Sequence, residues 1–256
     1  MKLLEILEDL GHLTHFGVRT LLALPSAVLK PRESLRQFYR VLIGSLPIAL
    51  LAGLAIGLVL WMHVRGVIVR TPGAGESAVQ YLPTALALAV MLEFAPIGAG
   101  LIVAGRVGAS LGAEIGAMRI TEQIDAVEIL GLSAMKQLVG PRVLACILTL
   151  PLLTVFTAVM ALGGGFAAEM LGGTLNSMQY ETATWSGLRL EDVLPAIGKT
   201  AVFGFLVGVS GCYFGMKAAG GTEGVGKAAT RGVELATLLV LLSNVLLVRL
   251  IQLFVL

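Results

Sequence analysis

Charged side chains are scarce in this sequence: Asp, Glu, Lys and Arg make up 13% of its 256 residues, whereas a soluble domain carries about 25%. Hydrophobic residues make up 57%, and the mean hydropathy is +0.91. The formal net charge is only +2, and the sequence has no basic stripe interleaved with aromatic residues, which excludes a nucleic-acid-binding protein. The composition therefore predicts an integral membrane protein.

Cysteine and histidine are also rare. The two cysteines, Cys146 and Cys212, lie in apolar runs and form neither a disulfide framework nor a metal-binding set. All three histidines lie outside the apolar runs, so Ser210 has no histidine at membrane depth to activate it as a nucleophile. We therefore expect no catalytic residue, metal site or cofactor in this chain. An intramembrane lipid-modifying enzyme is the alternative of a different class, and it predicts turnover by the chain alone.

Five apolar runs are long enough to cross a bilayer, because a helix rises about 1.5 Å per residue and the hydrocarbon core is about 30 Å thick. They are residues 41–62, 81–105, 143–168, 193–216 and 235–256. We predict that these runs are the transmembrane helices of one all-α domain formed by residues 1–256.

The remaining segments are polar or amphipathic. In the first 13 positions, apolar residues recur at helical spacing and acidic residues interrupt them. This pattern is typical of a helix in the membrane interface and not of a signal peptide, so residues 1–40 are predicted to be an interfacial region. Residues 169–192 form a polar connection that can hold a short surface helix. The Gly-rich residues 217–234 are expected to form a polar loop.

Lysine and arginine are distributed unevenly between the two sides of the membrane. The N-terminal region and the segments after the second and fourth spans hold thirteen of these residues, and the two opposite loops hold three. The side with more basic residues is cytoplasmic in most membrane proteins. The bias predicts a cytoplasmic N-terminus, a C-terminus on the outer side, and a cytoplasmic segment 106–142.

Small residues recur every four positions along the end of the second span and beyond it. They are Gly100, Ala104, Gly108, Gly112 and Gly116. On a helix this spacing gives one face with almost no side chains, which lets another backbone approach closely. The pattern predicts a tight helix contact. Ordinary packing within one subunit explains it as well, because the pattern does not identify the partner.

Residues 121–131 have the features of a short amphipathic helix. Thr121 is the predicted N-cap and Gly131 the predicted C′ residue. Three acidic residues are expected to face the cytoplasm and three apolar residues the protein or membrane: Glu122, Asp125 and Glu128, and Ile124, Val127 and Leu130. Such a helix between two spans can receive force from a soluble motor. The alternative is a connecting loop that happens to be helical.

Three ionisable residues lie within the apolar runs: Glu93, Lys199 and Arg249. Each costs at least about 2.5–3.5 kcal/mol near the bilayer centre, so a specific role is expected. They can form a polar patch in a cavity that handles a charged head group. They can equally form a structural ion pair, with Arg249 extending outward to the interface.

Residues 221–228 almost match the phosphate-binding loop pattern of nucleotide hydrolases. Ala228 stands where that pattern requires a serine or threonine to bind Mg²⁺. The segment also follows a membrane span and not a strand. We conclude that ATP and Mg²⁺ must bind to another chain.

The region between the second and third spans resembles the MlaE/YrbE family, the permease subunits of bacterial phospholipid-handling ABC transporters. The matching motifs are Glu93-x-x-Pro96, Ala104-Gly105-Arg106-x-Gly108-Ala109-Ser110, Ala113-Glu114-Ile115-Gly116-x-Met118-Arg119-x-Thr121-Glu122-Gln123 and Pro141-Arg142. The similarity covers nearly the whole chain. Family members often have an arginine where this chain has Leu92, and Lys199 and Arg249 are the candidates to replace it beside Glu93.

The resemblance implies a homodimeric permease in the bacterial inner membrane, bound to two copies of a cytoplasmic ATPase. It also implies a periplasmic MCE-domain partner, often hexameric, with a small cytoplasmic STAS-type subunit as a further candidate partner. The cargo is a phospholipid, or a sterol or other hydrophobic compound in some branches. The residues that it assigns to ATPase coupling are Glu114, Arg119, Thr121, Glu122, Gln123, Asp125 and Glu128.

Overall fold

This computed structural model describes residues 2–70 and 78–255, which form helices joined by short turns. The helices are α1 Lys2–Val28, α2 Pro31–Arg70, α3 Leu82–Ala89, α4 Ala95–Val103, α5 Ala109–Ile120, α6 Gln123–Ile129, α7 Gly140–Gly172, α8 Ser177–Ser186, α9 Leu190–Met216 and α10 Gly221–Val255. Three π-helical turns also occur, at Val90–Phe94, Ala104–Gly108 and Met135–Val139. The first two join α3, α4 and α5 into one continuous helical segment, and the third leads into α7.

Five helical segments of the described chain are long and apolar enough to cross a membrane. They are Pro31–Arg70, Leu82–Ile120, Met135–Gly172, Leu190–Met216 and Gly221–Leu253. They contain three of the five predicted spans completely and the other two except for a few end residues, so the prediction of an all-α integral membrane protein with five spans is confirmed. The predicted N-terminal helix is α1. The side chains at positions 1–7, 9 and 10, which carry most of its predicted apolar face, lie outside the described part of the structure.

The polar connections are more helical than the sequence pattern indicates. The predicted surface helix in residues 169–192 is α8, and it begins with a capping box in which Asn176 and Gln179 exchange side-chain and backbone hydrogen bonds. The prediction of a loop over residues 217–234 is wrong, because α10 begins at Gly221. Its first turns pack against α5, and this contact outweighs the low helix propensity of their glycines.

The chain divides into two compact units by its internal contacts. The first unit contains Met1–Gly44, Val103–Leu150 and Ala201–Ser243. Here the predicted small-residue face finds its partner: a Cβ atom at Gly112 would lie 2.9 Å from the carbonyl oxygen of Ala228, and one at Gly116 would lie 3.3 Å from Cβ of Ala218. The face is therefore packed within the same chain, against α10 and the end of α9.

The second unit contains Ser45–Ile102, Pro151–Thr200 and Asn244–Leu256. The side chain of Glu169 is fully buried in it and accepts hydrogen bonds from Trp61 Nε1 at 3.1 Å and from the backbone amides of Thr174 and Leu175 at 2.8 and 2.7 Å. Burial, with the nearby Glu169 carboxylate, raises the pKa of Tyr180 to about 12. The hydrogen bonds that Glu169 accepts from Thr174 and Leu175 fix the turn between α7 and α8.

The backbone contact at Gly112 leads to a first prediction. Gly112→Ala places a methyl group against the Ala228 carbonyl, and overpacking of this kind destabilises a protein by about 1–3 kcal/mol. Gly226→Ala is the matched control, because a Cβ at this helical position meets nothing within 4 Å and alanine favours the helix by about 1 kcal/mol. Thermal unfolding of the purified protein in detergent should show a lower Tm for G112A and an unchanged or higher Tm for G226A. Equal Tm values would contradict a tight contact at Gly112.

Candidate functional site

Glu93 lies in the π-helical turn Val90–Phe94 of the second membrane helix. Three residues later, Pro96 has no backbone N–H. In an α-helix that amide would donate to the carbonyl of Leu92, so the proline leaves this carbonyl without its usual donor. A π-helical turn of this kind occurs often at functional sites in helices. The local sequence therefore places one acid next to a backbone acceptor that needs a partner from another helix.

Lys199 of α9 supplies that partner. Its Nζ donates to the Leu92 carbonyl at 2.7 Å and to Glu93 Oε1 at 2.9 Å. The lysine side chain is 2% exposed, whereas the Glu93 side chain is 37% exposed. The structure thus pairs Glu93 with Lys199, and the lysine charge lies beside Leu92.

Asn244 of α10 completes the cluster, and sequence reasoning missed it. Its Nδ2 donates to Glu93 Oε2 at 3.0 Å, and the residue is 8% exposed. Its Oδ1 is buried without a hydrogen-bond partner among the described residues. An asparagine in an otherwise apolar run is a signal for interhelical hydrogen bonding, and this signal could have identified it.

The cluster lines a pocket of about 820 Å³, which we call the Glu93 pocket. Its lining residues are Leu92, Glu93, Arg189, Glu191, Asp192, Ala196, Lys199, Asn244, Val245, Val248, Arg249, Ile251 and Gln252. The structure thus brings all three of the predicted intramembrane ionisable residues to one pocket. Arg249 is exposed and lies at the pocket wall, so it occupies a different position from the buried Lys199. The pocket combines charged groups with aliphatic side chains, as ligand sites for amphiphiles do.

The second predicted site is α6, and its start differs from the prediction. Thr121 is not the N-cap: Glu122 occupies that position with φ +58°, and the Thr121 hydroxyl donates to the Ala117 carbonyl at 2.9 Å. Thr121 therefore ends α5 instead of starting α6. Gly131 has φ +74° and its amide donates to the Glu128 carbonyl at 2.9 Å, which confirms its predicted C′ role.

The faces of α6 are only partly as predicted. Ile124 is buried at 1% exposure, as expected, and Val127 is half-buried. Leu130 does not pack against the protein, because it is 75% exposed and its neighbour Ile129 is 85% exposed, and its contact with the membrane stays a prediction. The helix ends before Leu130 can turn inward. An exposed apolar pair thus lies at the end of α6, and the acidic residues Glu122 and Glu128 are also exposed.

The other residues assigned to coupling take part in ion pairs within the first unit. Arg119 Nη1 is hydrogen-bonded to Asp125 Oδ1, which ties α6 to α5. Glu114 accepts from Arg142 at 2.7 Å and from Arg40 at 3.3 Å, so it joins α5 to α7 and α2. The exposed candidates Glu122, Gln123 and Glu128 are available for a partner, whereas these pairs hold the segment in place.

Five apolar helices, a pocket that mixes charge with aliphatic walls, and an exposed short helix after α5 define a polytopic membrane protein of the transport class. Among the described residues, no three His, Cys, Asp or Glu side chains come together as a metal site requires. Residues 34–250 match the family model described as Permease MlaE, and the chain belongs to this family of ABC transporter permeases.

Individual relatives agree with this assignment. A probable ABC transporter permease protein of Rickettsia typhi is 37% identical over 230 residues, which cover 88% of this chain and 87% of the relative. A probable ABC transporter permease protein of Synechocystis is 32% identical over 213 residues, covering 83% and 79%. The Arabidopsis thaliana protein TRIGALACTOSYLDIACYLGLYCEROL 1, chloroplastic, is 35% identical over 153 residues, covering 59% and 43%.

The pairing of Glu93 with Lys199 can be tested by a mutant cycle. Lys199→Met leaves the carboxylate and the Leu92 carbonyl without their donor and should destabilise the protein by about 2–3 kcal/mol, less than a fully buried pair because Glu93 is 37% exposed. The double variant K199M/E93Q should be less destabilised than K199M alone, since no unpaired charge remains. Arg249→Gln is the exposed control and should change stability by less than about 0.5 kcal/mol. Unfolding in detergent measures these three variants and the single variant E93Q, and additive effects of K199M and E93Q in the double variant would contradict the pairing.

Proposed function

We propose that this chain is the transmembrane permease subunit of an ATP-driven transporter that moves phospholipids between the bacterial inner membrane and a periplasmic MCE-domain partner. The observation that carries the proposal is the Glu93 pocket in a permease of the ABC class. The relative named after a diacylglycerol lipid supports a lipid cargo.

The lining of the Glu93 pocket fits an amphiphile. Val245, Val248 and Ile251 form an aliphatic wall against which acyl chains can pack. Arg189 and Arg249 offer guanidinium groups that suit a phosphate, because arginine binds phosphate oxygens in a bidentate manner. Acyl chains and a phosphate-bearing head group therefore both find matching surfaces in one pocket.

The exposed part of α6 is the proposed contact with the motor. Ile129 and Leu130 are exposed apolar residues at the end of α6, Glu128 lies next to them, and Glu122 and Gln123 are exposed polar residues at its start; we call these five residues the α6 surface. A hydrophobic centre with a polar rim is the usual composition of a protein interface. Two copies of this chain would bind a dimer of ATPase subunits, which bind ATP and Mg²⁺, on the cytoplasmic side that the lysine and arginine bias indicates.

Transport would then follow from movement of α6. Closure of the ATPase dimer would push this helix, and the Arg119–Asp125 pair would transmit the push to α5. The segment Leu82–Ile120 is helical throughout and carries the Glu93 turn, so the push would change the shape of the pocket and expel or accept lipid. A periplasmic MCE hexamer would exchange lipid with it, and a small STAS-type subunit could bind the ATPase.

Purification of the affinity-tagged chain from its native membranes tests the proposal as a whole. Mass spectrometry of proteins should identify an ABC ATPase and an MCE-domain protein, and mass spectrometry of lipids should identify phospholipids enriched over the surrounding membrane. Enrichment of sterols or other hydrophobic compounds would favour that alternative cargo. Lipid conversion by the isolated chain would support the enzyme alternative and contradict the permease proposal.

Substitutions in the exposed α6 surface test the proposed contact with the ATPase. Ile129→Asp and Glu122→Lys should each abolish or strongly reduce copurification of the ATPase, because one removes apolar contact and the other reverses a charge at the rim. Met178→Asp in α8 is the control, since this residue is 77% exposed on a different helix. Asp125 is left unchanged because it pairs with Arg119. Retention of the ATPase by both α6 variants, with unchanged Tm, would contradict the assignment.

Filling the Glu93 pocket tests the cargo site. Val248→Trp places an indole ring in the pocket and should lower the amount of copurified phospholipid at least about threefold, since displaced lipid contacts cannot be replaced. Leu250→Trp is the control on the same helix, because Leu250 is 50% exposed and does not line the pocket. Quantitative lipid mass spectrometry per mole of protein provides the readout. Equal lipid content in the two variants would argue against binding in this pocket.

A further inference from the structure

A second pocket, of about 510 Å³, lies in the first unit, and we call it the Lys217 pocket. It is formed by the end of α9, the first turns of α10 and one residue of α1. Its lining residues are Leu13, Tyr213, Phe214, Lys217, Ala218, Ala219, Gly224, Lys227, Ala228, Arg231 and Leu235. None of the residues proposed for cargo binding or motor contact is among them.

The polar lining of the Lys217 pocket is basic. Lys217, Lys227 and Arg231 contribute three cationic groups, and no acidic residue is among the described side chains that line the pocket. Lys217 Nζ donates to the Tyr213 hydroxyl at 2.5 Å and lies 4.5 Å from the centre of its ring. Lys227 contacts Glu223 at 2.6 Å, but the two side chains are 67% and 77% exposed, so water weakens this pair. The pocket therefore favours an anion.

The apolar lining indicates that this anion is attached to a lipid. Leu13, Phe214 and Leu235 line the same pocket as the three cations. The candidate span of α9 ends at Met216, and the apolar part of α10 begins at Leu235. The pocket thus lies where two membrane helices change from apolar to polar residues, which is the level of lipid head groups.

Contacts with α1 also indicate that the Lys217 pocket lies at the level of the lipid head groups. Phe16 packs edge-on against Tyr213 with ring centroids 5.5 Å apart. Val18, Leu21 and Leu22 of α1 are 54%, 50% and 74% exposed, as expected for a helix that lies against lipid. A lipid with its phosphate among the three cations can place its acyl chains beside these residues.

We propose that the Lys217 pocket binds the phosphate-bearing head group of an anionic membrane lipid, at a site separate from the Glu93 pocket. The lipid bridges α1, α9 and α10 through its phosphate and its acyl chains. Because Gly116 of α5 packs against Ala218 of this pocket, the site lies beside the helix that leads to α6. Binding there does not depend on which cargo the transporter moves.

The test uses the full chain purified in neutral detergent, with dioctanoyl phosphatidylglycerol as the probe and native mass spectrometry to measure its Kd. Lys217→Gln combined with Arg231→Gln should raise the Kd at least about tenfold, because each basic residue contributes to head-group attraction. Arg32→Gln combined with Arg36→Gln removes the same charge from the exposed surface of α2 and should leave the Kd within about twofold. Lys227→Gln alone, at an exposed position, should raise it by roughly threefold and serves as the second variant if the double variant does not fold.

Two arms distinguish a lipid from other ligands. Dioctanoyl phosphatidylcholine, which carries the same chains and a compensating positive charge, should bind more weakly than the anionic probe. Inorganic phosphate in tenfold excess over the probe should not displace it. Equal losses in the α2 control, equal binding of the zwitterionic lipid, or displacement by free phosphate would each overturn the proposal. Loss of the copurified ATPase or cargo lipid would not, because those results concern the other two sites.

Discussion

The first unit depends on three glycines that meet at one point. Gly108, Gly211 and Gly232 come from the second, fourth and fifth membrane segments, and a Cβ at Gly211 or Gly232 would lie 2.9 or 3.2 Å from the Gly108 carbonyl oxygen. Lipid gives apolar side chains little reason to prefer a neighbouring helix, so close backbone contact is a main source of attraction. It offsets the cost of about 1 kcal/mol for each glycine in a helix. The position of α5, and hence of α6, is fixed by this contact.

Charged residues in the two units follow a second constraint, because three wholly or partly buried carboxylates have donors from other parts of the chain. Glu114 has Arg142 and Arg40, Glu93 has Lys199 and Asn244, and Glu169 has an indole and two backbone amides. Removing one partner of such a set leaves a charge that lipid cannot solvate and that water reaches only in part at Glu93 and Glu114 and not at all at Glu169. These carboxylates therefore fix which helices pack together, whereas the glycines fix how closely they pack.

Sequence patterns predicted the features that depend on a few neighbouring residues. Hydropathy located the five spans, and four-residue spacing located the small-residue face. The predicted start of α6 was wrong because it depends on local backbone geometry. Thr121 has the chemistry of an N-cap, but the sharp reversal between α5 and α6 places Glu122 in the left-handed region instead. Pairings between residues distant in sequence could not be predicted. An asparagine in an apolar run signals an interhelical hydrogen bond, but neither the pairing of Asn244 with Glu93 nor the contact of Ala228 with Gly112 follows from periodicity.

The polar end of the Glu93 pocket is close to neutral, and this bears on how the pocket selects a ligand. Glu93 and Lys199 cancel each other's charge at 2.9 Å, and Asn244 adds no net charge. A neutral cluster attracts neither anions nor cations over distance, and at the pocket wall the exposed Arg189 and Arg249 are offset by the acidic Glu191 and Asp192. Any preference for a phosphate must therefore come from direct contact with a guanidinium group and not from net charge. Water screens exposed charges, so their preference is modest and salt-dependent. The inner cluster then fixes the helices, and selection takes place at the wall, where a head group can enter and leave without breaking a buried pair.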